Sequence, residues 1–379
     1  MEFRINSKVL EKLLAKVYPV VPARTPMPIL ENFLFDISAG NLTVCATDHE
    51  ISMKASSPIT ADGEAKLVIP ARLIYEMVRS FNETSALFKV EDNGKISVTT
   101  DNGHYSISYL PVDQYPEIPS LPAGAAGGDS SITLNGMELK RALDSAAFAM
   151  SKEDMRPSMM GTLFDFVDDG LRFVATDGHR LVNLLKKNVK FSKTEKYIIP
   201  ERAISVLQKI LEDKEVVITI SQSHMSFRIN GLEFTTRLIG QRYPDYQSVI
   251  PMENEGRLHI KASELLSAVK RMILFSPTNS RKVKFALKSA SLEVSAEDSD
   301  QGSSGKETIP CDYSGNEFEI GFNAQYVADI LTHLLSHMDG KNEIVFKLNS
   351  PTKAVLICPV EDKENEELLM LLMPVRLNS

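Results

Sequence analysis

Val44-Cys-Ala-Thr-Asp-His49 returns as Phe173-Val-Ala-Thr-Asp-Gly178 and, more loosely, as Val294-Ser-Ala-Glu-Asp-Ser299. Each time an apolar run ends in a short polar turn, the pattern of a strand and its exit. Upstream of each stands a helix opening: Asn6-Ser-Lys-Val-Leu-Glu11, Asn135-Gly-Met-Glu-Leu-Lys140 and Lys261-Ala-Ser-Glu-Leu-Leu266. Downstream stands a second: Val68-Ile-Pro-Ala-Arg72, Ile198-Ile-Pro-Glu-Arg202 and Ile320-Gly-Phe-Asn-Ala324. The offsets nearly agree, with Asp48 to Asp177 spanning 129 residues (177 − 48) and Pro70 to Pro200 spanning 130 (200 − 70). From the second copy to the third the same landmarks lie 121 (298 − 177) and 123 (323 − 200) residues apart. A repeat of ~125 residues can bury a core of its own, so it predicts domains, not solenoid units. The expected domains are residues 1–122, 129–251 and 256–379.

Between these landmarks the 379-residue chain reads mostly as short alternating strands, among them Phe33-Leu-Phe-Asp-Ile37, Lys95-Ile-Ser-Val-Thr-Thr100, Tyr105-Ser-Ile-Ser-Tyr-Leu110, Glu215-Val-Val-Ile-Thr-Ile220 and Ile344-Val-Phe-Lys-Leu348. Asp-Asn-Gly and Asn-Gly turns predict antiparallel hairpins between them. The fold class is therefore α+β: three similar domains, each with two helices packed on antiparallel sheets. Linkers are expected where Pro and Gly gather, at Leu121-Pro-Ala-Gly-Ala-Ala-Gly-Gly128 and Pro251-Met-Glu-Asn-Glu-Gly256.

Hydrophobic content of 43% and charged content of 24% are those of an ordinary globular chain. Cys45, Cys311 and Cys358 lie far apart without a CxxC pair, which argues against a disulfide framework or a zinc site. Met1-Glu-Phe-Arg-Ile-Asn6 lacks the regions of a signal peptide, and no apolar run approaches the ~20 residues that span a bilayer. The expectation is a cytoplasmic protein with no membrane partner.

The net charge of −8 speaks against an open nucleic-acid-binding face, but a sum hides its distribution. In the first helix Val9, Leu10, Leu13, Leu14 and Val17 make the apolar stripe, while Lys8, Lys12 and Lys16 recur at i, i+4, i+8 on another face. Arg72 and Arg79 share a face of the second helix, with Glu76 between; Arg202 and Lys209 repeat that spacing on the fourth, with Ser205 between. The third offers Lys140 and Arg141, the fifth Lys270 and Arg271, and the sixth, Ala324 to Leu334, only His333. One basic stripe is what a solvated helix carries anyway. Five of six helices leaning the same way in an acidic chain imply a basic helical surface and an acidic sheet surface, suited to enclosing a polyanion.

Candidate chemistry is sparse. Asp177 and His179 suggest an acid–base pair and Thr176 a nucleophile, which keeps a hydrolase as an alternative. Asp48 and Asp298 occupy the equivalent turns, however, so the Asp is better read as a turn residue. His333 and His337 stand at metal-pair spacing on a helix, without a third ligand; a solvent-facing helix end is expected there. Neither a Walker loop nor a dinucleotide fingerprint occurs, and the Gln301-Gly-Ser-Ser-Gly305 run lacks the Lys-Ser/Thr of a phosphate loop. No enzyme activity and no cofactor or metal are expected. At the C-terminal end Glu361-Asp-Lys-Glu-Asn-Glu-Glu367 runs into Leu368-Leu-Met-Leu-Leu-Met-Pro-Val-Arg-Leu377. Its first half predicts a buried strand, and Pro374 should take the rest out of the sheet, leaving Met and Leu side chains adaptable to an apolar peptide.

Ala175-Thr-Asp-Gly-His-Arg-Leu181, Arg242-Tyr-Pro-Asp-Tyr246, Ile320-Gly-Phe-Asn-Ala-Gln-Tyr326 and Met373-Pro-Val-Arg-Leu377 together resemble the bacterial replicative sliding clamp family, the β subunit of DNA polymerase III, over the whole chain. The resemblance implies a head-to-tail homodimer closing into a ring of six domains, helices lining the hole and sheets outside. Such a processivity factor encircles duplex DNA, slides without sequence specificity and tethers the replicative DNA polymerase and other clamp-binding repair and replication proteins. With no ATP site in the chain, a separate ATP-driven clamp loader is implied. The DNA-facing residues it points to are Arg24 and Arg72, beside the helix stripes; where some members carry two tyrosines this chain has Pro157-Ser158.

The family's partner-peptide pocket, which takes a short apolar-and-glutamine peptide, carries over by motif to Met159, Thr176, Gly178, His179, Arg180 and Leu181. It continues through Pro244, Val249, Asn323, Tyr326 and Thr352 to Met373, Pro374, Val375, Arg376 and Leu377. Val375 stands where a methionine is often found, and Asn378-Ser379 extend past the usual end. For the dimer contact the resemblance points to Tyr105 and Ile107 in the first domain against Leu274 and Phe275 in the third, an apolar edge that ring closure would pair. A protein-binding scaffold that never meets DNA is the remaining alternative.

Overall fold

The computed structural model describes residues 1–121 and 131–377. Most of the first expected linker, the domain limits at 122 and 129, and the Asn378-Ser379 extension lie outside the described residues.

Each sequence copy contributes two helices: α1 (Ser7–Val17) and α2 (Ala71–Ser80), α3 (Gly136–Ala146) and α4 (Glu201–Ile210), α5 (Ala262–Ile273) and α6 (Ala324–His337). The helix starts follow the repeat. Asn6 Oδ1 accepts from the N–H groups of Lys8 and Val9, and Asn135 Oδ1 from that of Met137. In the third copy Lys261 has no capping oxygen, and Asn342 supplies one from elsewhere in the chain, accepting from Ser263 N at 2.8 Å. Leu10, Leu13, Leu14 and Val17 bury the inner face of α1. Val9, expected in that stripe, is 43% exposed: i, i+4 neighbours fill the interface and Val9 falls beside it.

The sheets do not stop at the repeat boundaries. An eight-stranded antiparallel sheet joins Asn32–Ser38, Asn41–Thr47, Ile51–Pro58 and Ala65–Pro70 of the first copy to Ser131–Asn135, Glu215–Ile220, His224–Ile229 and Leu232–Arg237 of the second. The seam pairs Leu232–Thr236 with Ile51–Ala55, in register Phe234 opposite Met53. A nine-stranded sheet likewise joins second-copy strands Gly161–Val167, Gly170–Thr176, Arg180–Lys186 and Lys196–Pro200 to third-copy strands including Val355–Pro359 and Glu366–Leu372. There Val182 faces Met370. The chain accordingly divides into two compact units, residues 1–137 with 205–238, and residues 138–204 with 239–379. In the first, Gly103–Ser108 is the edge of a five-stranded sheet; in the second, Ser303–Pro310 is the edge of a four-stranded one.

The seam in the second unit carries buried charge. Lys186, 3% exposed at its side chain, reaches Glu366 at 2.6 Å and Glu138 at 3.2 Å. Glu366 also lies 3.5 Å from His337 Nε2, whose Nδ1 is 3.1 Å from Ser145 Oγ. The expected solvent-facing helix end is therefore wrong for His337, which is 5% exposed because α6 runs a turn further into the core. His333 stacks on Phe148 at 4.1 Å. The three cysteines are free. No helix among the described residues is long and apolar enough to cross a membrane.

Burial pushes the His337 pKa from 6.5 down to about 4, against the pull of Glu366 and Asp339 and with the help of Lys363 and Arg141. The unfolded chain thus takes up this proton first as pH falls. The contribution to stability is full above pH 6.5 and is lost as pH falls toward 4. Urea midpoints measured from pH 8 to 5 should drop in the parent, and a His337→Gln variant should show a shallower decline.

Candidate functional site

The turn after Gly170–Thr176 is built by its own side chains. Asp177 Oδ1 accepts from the N–H groups of His179 and Arg180 at 2.9 and 3.0 Å, and Oδ2 pairs with Arg180 Nε at 3.0 Å. Thr176 Oγ1 donates to Arg180 O and accepts from Gly178 N. Gly178 has φ +89°, which a Cβ would strain. The first copy repeats the device: Asp48 Oδ1 accepts from Glu50 N and Ile51 N, Thr47 Oγ1 donates to Ile51 O, and His49 takes the positive φ. Asp298 Oδ1 does the same for Asp300 N and Gln301 N. Both oxygens of Asp177 and the hydroxyl of Thr176 are thus committed to the turn, which disfavours the hydrolase alternative.

What distinguishes the middle copy is Arg180. Its guanidinium bonds Asp177, Asp329 Oδ2 at 2.6 Å and Phe148 O at 3.0 Å. It also lies between two rings, 4.6 Å from Tyr326 and 5.1 Å from Phe148. Charge-assisted bonds and two aromatic faces hold the side chain at 10% exposure. Tyr326 in turn stacks on His179, 6.0 Å between centroids, and its hydroxyl pKa is raised by burial and by Asp177. Asn323 caps α6, accepting from Gln325 N and Tyr326 N, and so sets where Tyr326 stands.

The C-terminal segment closes the other side. Glu366–Leu372 pairs along Arg180–Lys186, and the strand ends at Leu372, so that Pro374 lies outside the sheet as expected. Met373 N still donates to His179 O at 2.8 Å. Val375 then bridges Gly321, its N–H donating to Gly321 O. A Cβ on Gly321 would sit 2.7 Å from Val375 O and 2.9 Å from a Leu377 methyl, so only glycine lets the tail dock this closely.

The geometry thus joins Thr176, Gly178, His179, Arg180, Tyr326 and Met373, with Met159 approaching the Gly178 position to 4.0 Å. Leu181 belongs to an apolar cluster beneath them, with Val174, Tyr243, Tyr246 and Leu371. Pro244 and Val249 are exposed on the segment that Tyr243 and Tyr246 anchor, Thr352 is exposed in the turn before Val355–Pro359, and Arg376 is exposed beyond Val375. Asp329, Phe148 and Gly321 were missed by sequence reasoning. Gly321 alone carried a signal, a glycine inside an apolar strand pattern, which marks a close backbone approach.

Of the basic residues, Lys12, Lys16, Arg24, Arg72, Arg79, Arg141, Arg202, Lys209 and Lys270 are exposed, and Lys8 and Lys140 are half-exposed. Arg72 bonds Glu76 at 2.9 Å, Lys8 bonds Glu11, and Arg271 grips Glu307 with two nitrogens. Lys12, Lys16, Arg24, Lys209 and Lys270 have no carboxylate within ion-pair distance among the described residues. His333 adds no cation, because burial lowers its pKa. Tyr105 is exposed on the Gly103–Ser108 edge and packs on Phe81, while Ile107 points inward. Leu274, just past α5, is 77% exposed, and Phe275 lies under Gly305 of the other edge strand. No group of three or more His, Cys, Asp or Glu that could hold a metal exists among the described residues.

Family models match nearly the whole chain: the DNA polymerase III beta subunit N-terminal domain over residues 1–119, its central domain over 133–245 and its C-terminal domain over 247–376. A Vibrio cholerae beta sliding clamp is 27% identical over 383 residues, covering 100% of both chains, and the Escherichia coli one is 27% identical over 380, again covering 100% of both. A Bartonella birtlesii sliding clamp solved with griselimycin superposes with TM-score 0.88 at 31% identity, and a Pseudomonas aeruginosa beta subunit with TM-score 0.91 at 27% identity. Both alignments cover 100% of each chain.

Gly321→Ala should cost about 1–3 kcal/mol of stability, the usual range for overpacking. It should also speed amide exchange at Val375, read by mass spectrometry, while exchange in α1 stays as in the parent.

Proposed function

The chain belongs to the DNA polymerase III beta subunit family, and we propose on that footing that it is a replicative processivity factor: a homodimeric ring that encircles duplex DNA, slides along it and tethers the polymerase. The observation that carries this is full-length agreement of sequence and fold with sliding clamps, three family domains in order. The hydrolase and DNA-free scaffold alternatives are not favoured.

The finer reading is ours. Retention is topological, so phosphate contacts need only be weak and unspecific, which exposed lysine and arginine supply without reading sequence. Arg24, Arg72 and the helix cations Lys8, Lys12, Lys16, Arg79, Lys140, Arg141, Arg202 and Lys209 are proposed to face the duplex. Ring closure would join the Gly103–Ser108 edge, with Tyr105, to the partner's Ser303–Pro310 edge, beside Leu274 and Phe275. The surface around His179, Arg180, Tyr326 and the 373–377 tail is proposed as the docking site of partner peptides, including those of the polymerase and of an ATP-driven loader. Three domains at 1–122, 129–251 and 256–379 remain the proposed repeat units, although the compact units cut across them. The chain itself performs no catalytic step and works in the cytoplasm. Tethering raises the effective concentration of polymerase at its template without new contacts to the bases.

On nicked circular DNA the loaded protein should persist through gel filtration and be lost once the circle is cut; equal retention on linear DNA would sink the ring. Solution mass should be twice the 42.1 kDa of one chain. Charge reversal at Lys12, Arg24 and Lys209 should weaken loading and flatten its salt dependence, the slope falling by up to ~0.9 for each phosphate no longer neutralised.

A further inference from the structure

Residues 239–250 carry Pro244 and Val249 yet contain no helix or strand. Few backbone bonds fix the segment: Ile239 N donates to Ile198 O at 3.0 Å, and Ile250 N to Gln247 O at 3.2 Å. Its ordering rests instead on Tyr243 and Tyr246, which are 7% and 2% exposed and pack on Leu163, Val174, Leu181 and Leu371. At the bottom of this cluster the Tyr246 hydroxyl donates to Asp165 Oδ2 at 2.7 Å.

Asp165 is anomalous. It is 1% exposed in the middle of Gly161–Val167, whose other residues are apolar, glycine or threonine. Its second oxygen has no hydrogen-bond partner, and neither has Nε of Arg172, its cross-strand neighbour. Lys196 Nζ lies 3.5 Å from the bonded oxygen and 5.6 Å from the Tyr246 ring centre. An incompletely satisfied buried carboxylate is a poor way to stabilise a sheet. It is a good way to fix one hydroxyl, because a Tyr246 displaced from it leaves the charge with less compensation.

We propose that Asp165 is a positioning residue for the peptide-docking site: by holding Tyr246 it fixes the wall that Pro244 and Val249 present. The inference rests on the docking role given above to that surface. Asp165 touches no bound peptide itself; it acts through Tyr246 and the backbone of 239–250.

The test uses the full-length protein and fluorescein-labelled synthetic peptides, each with one glutamine and two apolar residues, read by fluorescence polarisation. Asp165→Ala and Tyr246→Phe should each weaken peptide binding about fivefold or more, the worth of one buried hydrogen bond. The double variant should be no weaker than the worse single one. Asp165→Asn, whose carbonyl still accepts the hydroxyl proton, should recover binding to within about threefold of the parent. In the same variants amide exchange over 239–250 should rise with Asp165→Ala and fall back with Asp165→Asn. Solution mass and a urea midpoint verify folding, and if Asp165→Ala does not fold, Tyr246→Phe, which keeps the ring, gives the reading alone. If the parent binds and both single variants bind equally well, this inference fails and the docking site stands. If the parent binds none of the peptides, the docking site fails and takes this inference with it.

Discussion

The pairing of Arg180–Lys186 with Glu366–Leu372 is the constraint on which the rest of the second unit depends. It joins strands that lie far apart in sequence into one sheet, with Arg180 opposite Leu372 and Lys186 opposite Glu366. At one end the register sets the turn beside the tail, so that Met373 N meets His179 O. At the other it sets Glu366 against both Lys186 and His337. A slip of one residue would turn every side chain of the strand to the opposite face and undo both ends together.

The buried charge at this seam is better understood as a selector of register than as a source of net stability. Taking the Lys186 ammonium and the Glu366 carboxylate out of water offsets most of their attraction, whereas a mispaired strand would leave Lys186 buried without its partners. The same reasoning applies to Arg180. Asp177, Asp329, Phe148 O and two aromatic rings satisfy the guanidinium only when the start of the strand, the Ala147–Ala149 turn and α6 stand where they do. The surface proposed above to dock short peptides gains from such fixing, since looseness is ordering that binding must supply.

Much of this was legible in the sequence because it is local. The asparagine-capped starts of α1, α3 and α6, the hairpins, the turn role of Asp48, Asp177 and Asp298, and the exit of the chain at Pro374 depend on residues within a few positions of one another. What was not legible is long-range. No periodicity places Asp329 against Arg180, 149 residues away, or says that α6 carries His337 into the core instead of ending in solvent. Val9 was misread because a stripe drawn on a helical wheel is wider than the face its neighbours cover. The sequence repeat also hid the seams: three copies are written, but strands pair across both boundaries, so the compact units are two.

The distribution of ion pairs answers the objection that a chain of net charge −8 has no business near a polyanion. Lysines on the strands are largely committed to cross-strand carboxylates: Lys54 to Glu233, Lys66 to Asp36, Lys284 to Glu319 and Lys306 to Glu293. Exposed helix lysines such as Lys12, Lys16, Lys209 and Lys270 have no such partner among the described residues. A lysine already facing a carboxylate adds little to the field beyond a Debye length, and an unpaired one keeps its full charge for an outside anion. The unpaired lysines named here thus stand on helices, while the strand lysines named beside them are neutralised in place. On the proposed assignment, these helix cations are what an acidic chain offers the duplex, because a ring that retains by topology needs positive charge only where the duplex passes.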